Sequence, residues 1–466
     1  MGLGKQSPRK IPLAVPYDKI PQSQGHPFYD RLQSILNKNG FDRYAEKLCE
    51  PLYAQGKGRP SIPPGRYFRM HIIGYFEGID SERGLEWRCS DSLSLRNFLK
   101  LEVTESVPDH SSLSRIRSRF PLEIHDQVFT WVLNKLEKAG LVSGRCIGID
   151  SSTMEANAAM KTIKRRDTGE NYRQMLERMA KESGIETPKY EDLIRMDKKR
   201  KGKKLSNEDW ESPTDPDSKV GKMKDGRTRM GYKPEHTVDL DSGAILAAEV
   251  HPLDKGDTKT LNKTLETTIK NLKKTTDAPP CEDDPAELSA DKGYHSREIL
   301  KNLDDSTWKT RIAEPKPKGL YDWKGDHEAR RAVYNNRKRT SSEIGKHVSR
   351  LRMEIVERSF QHILDRGGMR RVWLRGRENV QKRYLIHVAG YNLGLLMRKL
   401  MGYGTPKGAA QGLGIAISIN LGLISVFIFI FQSSDEDSFI LAAFIRINWL
   451  KFAMPFFNGL LTVSLT

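Results

Sequence analysis

At 466 residues the chain exceeds a single ordinary hydrophobic core, and domain-size scaling predicts about two to four structural units. Its 78 Lys and Arg against 60 Asp and Glu leave a formal charge of +18 and a pI of 9.5, which points to polyanionic partners, nucleic acid foremost. Cys49, Cys89, Cys146 and Cys281 are far apart and form no Cys-x-x-Cys pair, which argues against a zinc knuckle or a disulfide framework. The first ten residues are basic but have no apolar stretch behind them, so a secretory leader is not indicated and a reducing, cytoplasmic setting is expected.

Residues 1–25, rich in Pro, Gly, Gln and Lys without a period, read as a flexible basic arm. From residue 26 to about 140 apolar residues recur at helical spacing, as in Tyr67-x-x-Met70-x-x-Ile73-x-x-Phe76, between Gly, Pro and Ser breaks. This predicts an all-helical domain. Pro63 and Pro64 stand where a helix starts, and Asp109, Ser111 and Ser112 supply caps for a helix carrying Arg115, Arg117 and Arg119. Those arginines are candidate contacts to a DNA backbone, although a solvated structural face accounts for them as well.

The pattern then changes, because residues 145–150 form a short apolar run that ends in Asp150 and reads as a buried strand with a carboxylate at its tip. A charged, helix-prone insertion at about 158–225 follows, with Lys198, Lys199, Arg200, Lys201, Lys203 and Lys204 suited to phosphate contacts. Trp210 lies in it, either as a core residue or as a stacking surface for an extruded base. Residues 232–239 and 244–251 read as strands of a hairpin turned by Leu240-Asp241-Ser242-Gly243. Another strand over 286–290 ends at Asp291, a further one is expected over 307–313, and a basic segment at 316–352 leads into a helix over 350–360 with Glu357. The catalytic part is thus expected over 141–403, as an α/β fold.

Acids delivered by two strand tips and a helix are suited to gripping hard divalent cations, which select oxygen ligands and leave positions for water and phosphate. A pair of such ions activates a water or a 3′-hydroxyl and stabilises the leaving oxygen in displacement at phosphorus. Each acid also has a structural role open to it. Asp150 could cap a helix begun at Met154, Asp291 could be a turn residue, and Glu357 could be one charge on an exposed helix face. Gly293 permits a tight turn directly behind Asp291.

Several strings resemble DDE transposases of bacterial insertion sequences: Gly58-Arg59-Pro60, Gly78-Ile-Asp-Ser-Glu-Arg83, Pro108-Asp-His-Ser-Ser-Leu-Ser-Arg115, Ile149-Asp-Ser-Ser-Thr153, Ala290-Asp-Lys-Gly-Tyr294 and Arg352-Met-Glu-Ile-Val-Glu-Arg-Ser-Phe360. The resemblance spans about 27–400. It implies a ribonuclease H-like mixed-sheet core behind an all-helical N-terminal DNA-binding domain. It further implies cleavage and strand transfer at terminal inverted repeats, with Asp150, Asp291 and Glu357 as catalytic metal ligands for Mg²⁺, and Mn²⁺ as a substitute. Glu354 lies three residues earlier on the helix, but the Val-Glu-Arg-x-Phe setting selects Glu357. The implied partners are double-stranded DNA, as repeat ends and target, and a second copy of the chain on that DNA. Lys292, Arg352 and Arg358 are the candidate phosphate contacts. The family's basic residue about seven positions after its Glu is here Leu364, with Arg366 the nearest substitute.

Residues 404–466 form an apolar tail, uncharged over 409–432. A packed helix or strand pair, a membrane segment and a frameshifted end of a mobile element all fit this composition; Gly, Ser and Asn interruptions and the acids at 435–437 weigh against the membrane. Two rivals to a transposase remain: a cleavage-inactive relative that represses by occupying the repeats, and a ribonuclease H-like repair nuclease without sequence preference.

Overall fold

The N-terminal helices begin where capping chemistry allows. In this computed structural model, which describes residue 16 and residues 27–54, 61–200, 206–316, 323 and 325–409, seven helices precede the first strand. They are α1 (Pro27–Lys38), α2 (Phe41–Cys49), α3 (Pro64–Glu77), α4 (Glu82–Ser90), α5 (Leu93–Phe98), α6 (His110–Arg119) and α7 (Leu122–Lys138). Proline opens α3, where its missing N–H costs nothing. Asp109 caps α6 by accepting from the Ser112 N–H at 2.9 Å. Helix α3 is buried all round from Tyr67 to Tyr75 and forms the centre of this helical region. The arm at 1–25 apart from residue 16, Gly58-Arg59-Pro60, Lys201, Lys203, Lys204 and the tail beyond 409 lie outside the described residues.

The sheet follows the order of the chain. Strands β1 (Cys146–Ser151), β2 (Met154–Glu155), β3 (Lys164–Arg165), β4 (Trp210–Glu211), β5 (Lys219–Lys222), β6 (Thr228–Asp239) and β7 (Ile245–Pro252) come first, with helices α8 (Tyr172–Glu182) and α9 (Tyr190–Lys199) between β3 and β4. Met154 therefore starts a strand and not a helix. After β7 come α10 (Asp257–Thr275), β8 (Ala286–Ala290), α11 (Arg297–Leu303), β9 (Trp308–Ile312), α12 (His327–Ser341), α13 (Glu343–Phe360) and α14 (Arg377–Met401). Strand β6 pairs antiparallel with β7 on one side and β1 on the other, while β1, β8 and β9 run parallel. The central order is β7-β6-β1-β8-β9, a mixed sheet, and β2 and β5 add to the open half of β6.

The β6–β7 hairpin is held by Asp239, whose buried carboxylate accepts from the N–H groups of Ser143 and Gly144 at 2.8 and 2.9 Å and of Asp241 at 3.0 Å. Gly243 closes the turn at φ +80°, a conformation that disfavours other residues. On one face of the sheet Ile147, Ile149, Leu288 and Ala290 join residues of α10, α11 and α12 in a core. On the other face lie α13 and α14.

Helix α14 shields the outer edge of β7. Gln381 accepts from Val250 N at 2.6 Å and donates to Ala248 O at 2.8 Å, and Asn392 makes the same two-way contact with Ile245. Main-chain groups of an edge strand are thereby satisfied by side chains, which blunts the edge against pairing with another chain. The same helix carries the helical region, through Arg383 donating to Ile79 O at 2.8 Å and Lys382 to Arg117 O at 3.3 Å. Among the described residues, no helix is long and apolar enough to cross a membrane.

Candidate active site

Strand alternation decides where the first acid points. Ile147 and Ile149 enter the α10 side of the sheet, so Gly148 and Asp150 face α13. A Cβ on Gly148 would lie 2.7 Å from Leu240, 2.9 Å from Val356 and 3.0 Å from Arg352. Only glycine lets α13 approach this closely. Gly148→Val is expected to destabilise the fold by about 1–3 kcal/mol, read by denaturant unfolding, because α13 must be pushed off the strand.

Asp150 accepts from Ser151 N at 2.7 Å through Oδ1 and from Arg352 Nη1 at 2.9 Å through Oδ2. Burial raises its pKa above the ordinary carboxylate value, the Arg352 guanidinium and the Ser151 N–H oppose that, and Asp291 adds to it. Asp291 follows the last residue of β8, and its Oδ1 accepts from Gly293 N at 2.8 Å in a single 3-10 turn. The parallel register sets Gly148 opposite Ser289. Continued by two residues, it brings Asp150 beside Asp291. Gly293 does not adopt a left-handed φ, so the turn itself does not require glycine there. Space does: a Cβ would lie 2.5 Å from Asp257 Oδ2 and 3.1 Å from Asp291 Oδ1.

Helix α13 packs on β1, β6 and β8 and carries Glu357 on its exposed side. The Glu357 carboxylate makes no hydrogen bond or ion pair among the described residues, whereas that of Glu354 is paired with Arg358. No three Asp, Glu, His or Cys side chains among the described residues lie close enough to form a ready-made metal cage. The structure therefore brings Asp150 and Asp291 together and leaves Glu357 on the helix above them.

The candidate cations divide by exposure. Lys292, Arg358, Arg366 and Arg115 are exposed, although Arg115 also donates to Ser112 Oγ at 2.9 Å. Arg352 is buried and engaged with Asp150, and its Nε has no partner among the described residues. Arg117 is 7% exposed, ion-paired with Glu82 and bonded to Ser114, which corrects the expectation that it meets DNA. Trp210 is 4% exposed and packs on Tyr172 with ring centroids 5.8 Å apart, so it offers no face to a base. Leu364 is fully buried in a π-helical segment, Gln361–Arg366, where a charge would be stranded.

Beneath Asp150 lies a polar network that sequence reasoning missed. Glu235 on β6, wholly buried, accepts from Thr260 at 2.8 Å, Thr264 at 2.5 Å and Tyr294 at 2.8 Å, with His251 at 3.5 Å. Burial works to raise its pKa, but the hydrogen bonds from His251, Thr264 and Tyr294 prevail and hold it below the ordinary value. Lys233 donates to Asp257 at 3.1 Å and to Thr260 at 2.8 Å. His236, opposite Asp150 in the register, bridges Ser359 and Tyr384 and is pushed down to about 3 by burial. The available signal was β6 itself: a strand inside the sheet with Lys, Glu, His, Thr and Asp in succession must satisfy each of them.

An antiparallel hairpin running into parallel strands, with acids at neighbouring strand tips and helices on both faces, defines the class as a ribonuclease H-like catalytic fold. Two family models match the chain, one described as Transposase domain (DUF772) over residues 15–119 and one as Transposase DDE domain over residues 183–393. The chain belongs to the DDE transposases of insertion sequences. Asp291 and Glu357 fall within the second match, and Asp150 lies between the two. No curated protein and no solved structure matches the chain.

Proposed function

We infer that the chain shares its family's action on DNA in transposition and its use of a divalent metal ion. We propose that this chain binds the terminal inverted repeats of its element and catalyses Mg²⁺-dependent strand cleavage and strand transfer, with Asp150, Asp291 and Glu357 as the metal ligands. The observation that carries the reading is the pairing of Asp150 with Asp291 at the tips of adjacent parallel strands, on the face covered by the Glu357 helix. The donor set fits a hard cation, since all three ligands are carboxylates. When bound, a divalent pair lowers the pKa of the attacking hydroxyl and takes up charge on the leaving oxygen.

The remaining work falls to the chain's own side chains. Arg352 is ion-paired with Asp150 in this structure, and with a cation held by that carboxylate its guanidinium would be free to pair with a phosphate oxygen. Lys292, Arg358 and Arg366, all exposed, supply further phosphate contacts, and Arg115 on α6 extends them to the helical region at 26–140, the DNA-binding part. Joining two ends to one target calls for two copies of the chain on the DNA, in the cytoplasm at the nucleoid.

The test is cleavage of an end-labelled inverted-repeat duplex by the full chain in Mg²⁺, in Mn²⁺ and after chelation, with duplex binding measured in parallel. Cleavage in both metals, lost on chelation while binding persists, is the expected result. Binding without cleavage in any metal identifies a repressor instead, and cleavage without preference for the repeat identifies a general nuclease.

A further inference from the structure

Asp257 opens α10 on the face of the sheet opposite α13, yet it touches both strand tips that carry the acids. Its Oδ1 accepts from Ser151 Oγ at 2.9 Å, one residue beyond Asp150, and from Lys233 Nζ at 3.1 Å on β6. Its Oδ2 accepts no hydrogen bond among the described residues and faces Gly293, two residues beyond Asp291. The point where a Gly293 Cβ would stand is 2.5 Å from that oxygen and 3.1 Å from Asp291 Oδ1, so the turn behind β8 sits directly on Asp257. Lys233 is 6% exposed and bonds Thr260 as well, which fixes the ammonium and through it the carboxylate.

We propose that Asp257 is a positioning residue that sets the spacing between Asp150 and Asp291, acting as a brace between the end of β1, β6 and the turn after β8. This rests on the reading that Asp150 and Asp291 hold the divalent cation. Its charge is already matched by Lys233, so its contribution is geometric: one oxygen fixes Ser151 and the other supports the Gly293 turn. The chain carries glycine at 293 because any side chain would wedge Asp257 away from Asp291.

The experiment is Mn²⁺ binding to the full chain, read as free Mn²⁺ by electron paramagnetic resonance, with the metal-free melting temperature as a check on folding. Asp257→Ala is expected to weaken Mn²⁺ binding about 10-fold or more, as loss of residues that orient metal ligands does. Gly293→Ala, which leaves Asp257 in place but occupies the space beside it, is expected to weaken binding comparably. Asp257→Asn keeps the Oδ1 acceptor and is expected to stay within about threefold of the wild type. Should Asp257→Ala fail to fold, Gly293→Ala and Asp257→Asn decide the matter by the same measurement. Wild-type affinity in Asp257→Ala or Gly293→Ala, with Asp150→Asn unable to bind, overturns the brace and leaves the metal site intact. An Asp257→Asn as weak as Asp257→Ala also overturns it, since charge and not geometry would then carry the effect. Undiminished Mn²⁺ binding in Asp150→Asn removes the metal site and the brace together.

Discussion

Changing any one of Asp150, Asp291 or Glu357 to its amide is expected to lower cleavage of an inverted-repeat duplex by about 10³-fold or more while duplex binding stays within about twofold. The amide keeps the size of each side chain and an acceptor oxygen but removes the negative charge that holds a divalent cation. Groups that act on one cation pair fail as a unit, so Asp150→Asn combined with Glu357→Gln is expected to be no worse than either alone. Glu354→Gln is the control, because that carboxylate is already committed to Arg358 on the exposed face of α13. Single-turnover cleavage assays on the five proteins and the wild type decide the matter. A Glu357→Gln that cleaves normally beside an inactive Glu354→Gln moves the third acid one turn earlier. The Glu357 carboxylate has no partner among the described residues, so the assay also reports whether it acts together with the two strand-tip acids when DNA and metal are present.

Asp150 and Asp291 were legible in the sequence because each ends a short apolar run, and a buried strand that terminates in an acid places it at a strand end whatever surrounds it. The β6–β7 hairpin was equally legible from its turn residues. Other features depend on which elements meet. Trp210 and Arg117 have compositions suited to DNA, but their exposure is set by the packing of Tyr172 and Glu82 against them, and neither neighbour is local in the chain. Glu235, Lys233 and Asp257 were missed for the converse reason. A lone acid or lysine in a strand reads as an outward-facing residue, and only the arrival of α10 over β6 turns Glu235 and Lys233 inward and sets Asp257, the first residue of that helix, against them. Leu364 shows a local departure with a visible cause. The helix after Glu357 widens to a π turn, so the position seven residues on points into the core, where a basic side chain has no place.

The second large effect is on stability. Glu235→Ala is expected to destabilise the protein by about 3–5 kcal/mol, because it opens a buried cavity and removes the carboxylate to which the Thr260, Thr264 and Tyr294 hydroxyls donate, while Lys233 keeps its ion pair with Asp257. Glu235→Gln retains one oxygen for Tyr294 and Thr260 and should cost about 1–2 kcal/mol. The pH dependence has a definite sign. The folded carboxyl sits below its ordinary value of 4.5, so the folded state binds its proton less tightly than the unfolded chain does. Its contribution is therefore fully present above that ordinary value and is lost as the pH falls through the lower, folded one. Denaturant unfolding of the wild type and Glu235→Gln should thus give a stability difference that is constant near neutrality and shrinks in acid. A difference that grows in acid would mean that the folded protein holds Glu235 protonated and that burial outweighs its donors. Since the same network supports Ser151 through Lys233 and Asp257, Glu235→Gln is also expected to weaken Mn²⁺ binding while the fold is retained, which links the stability of this buried cluster to the spacing of the acids above it.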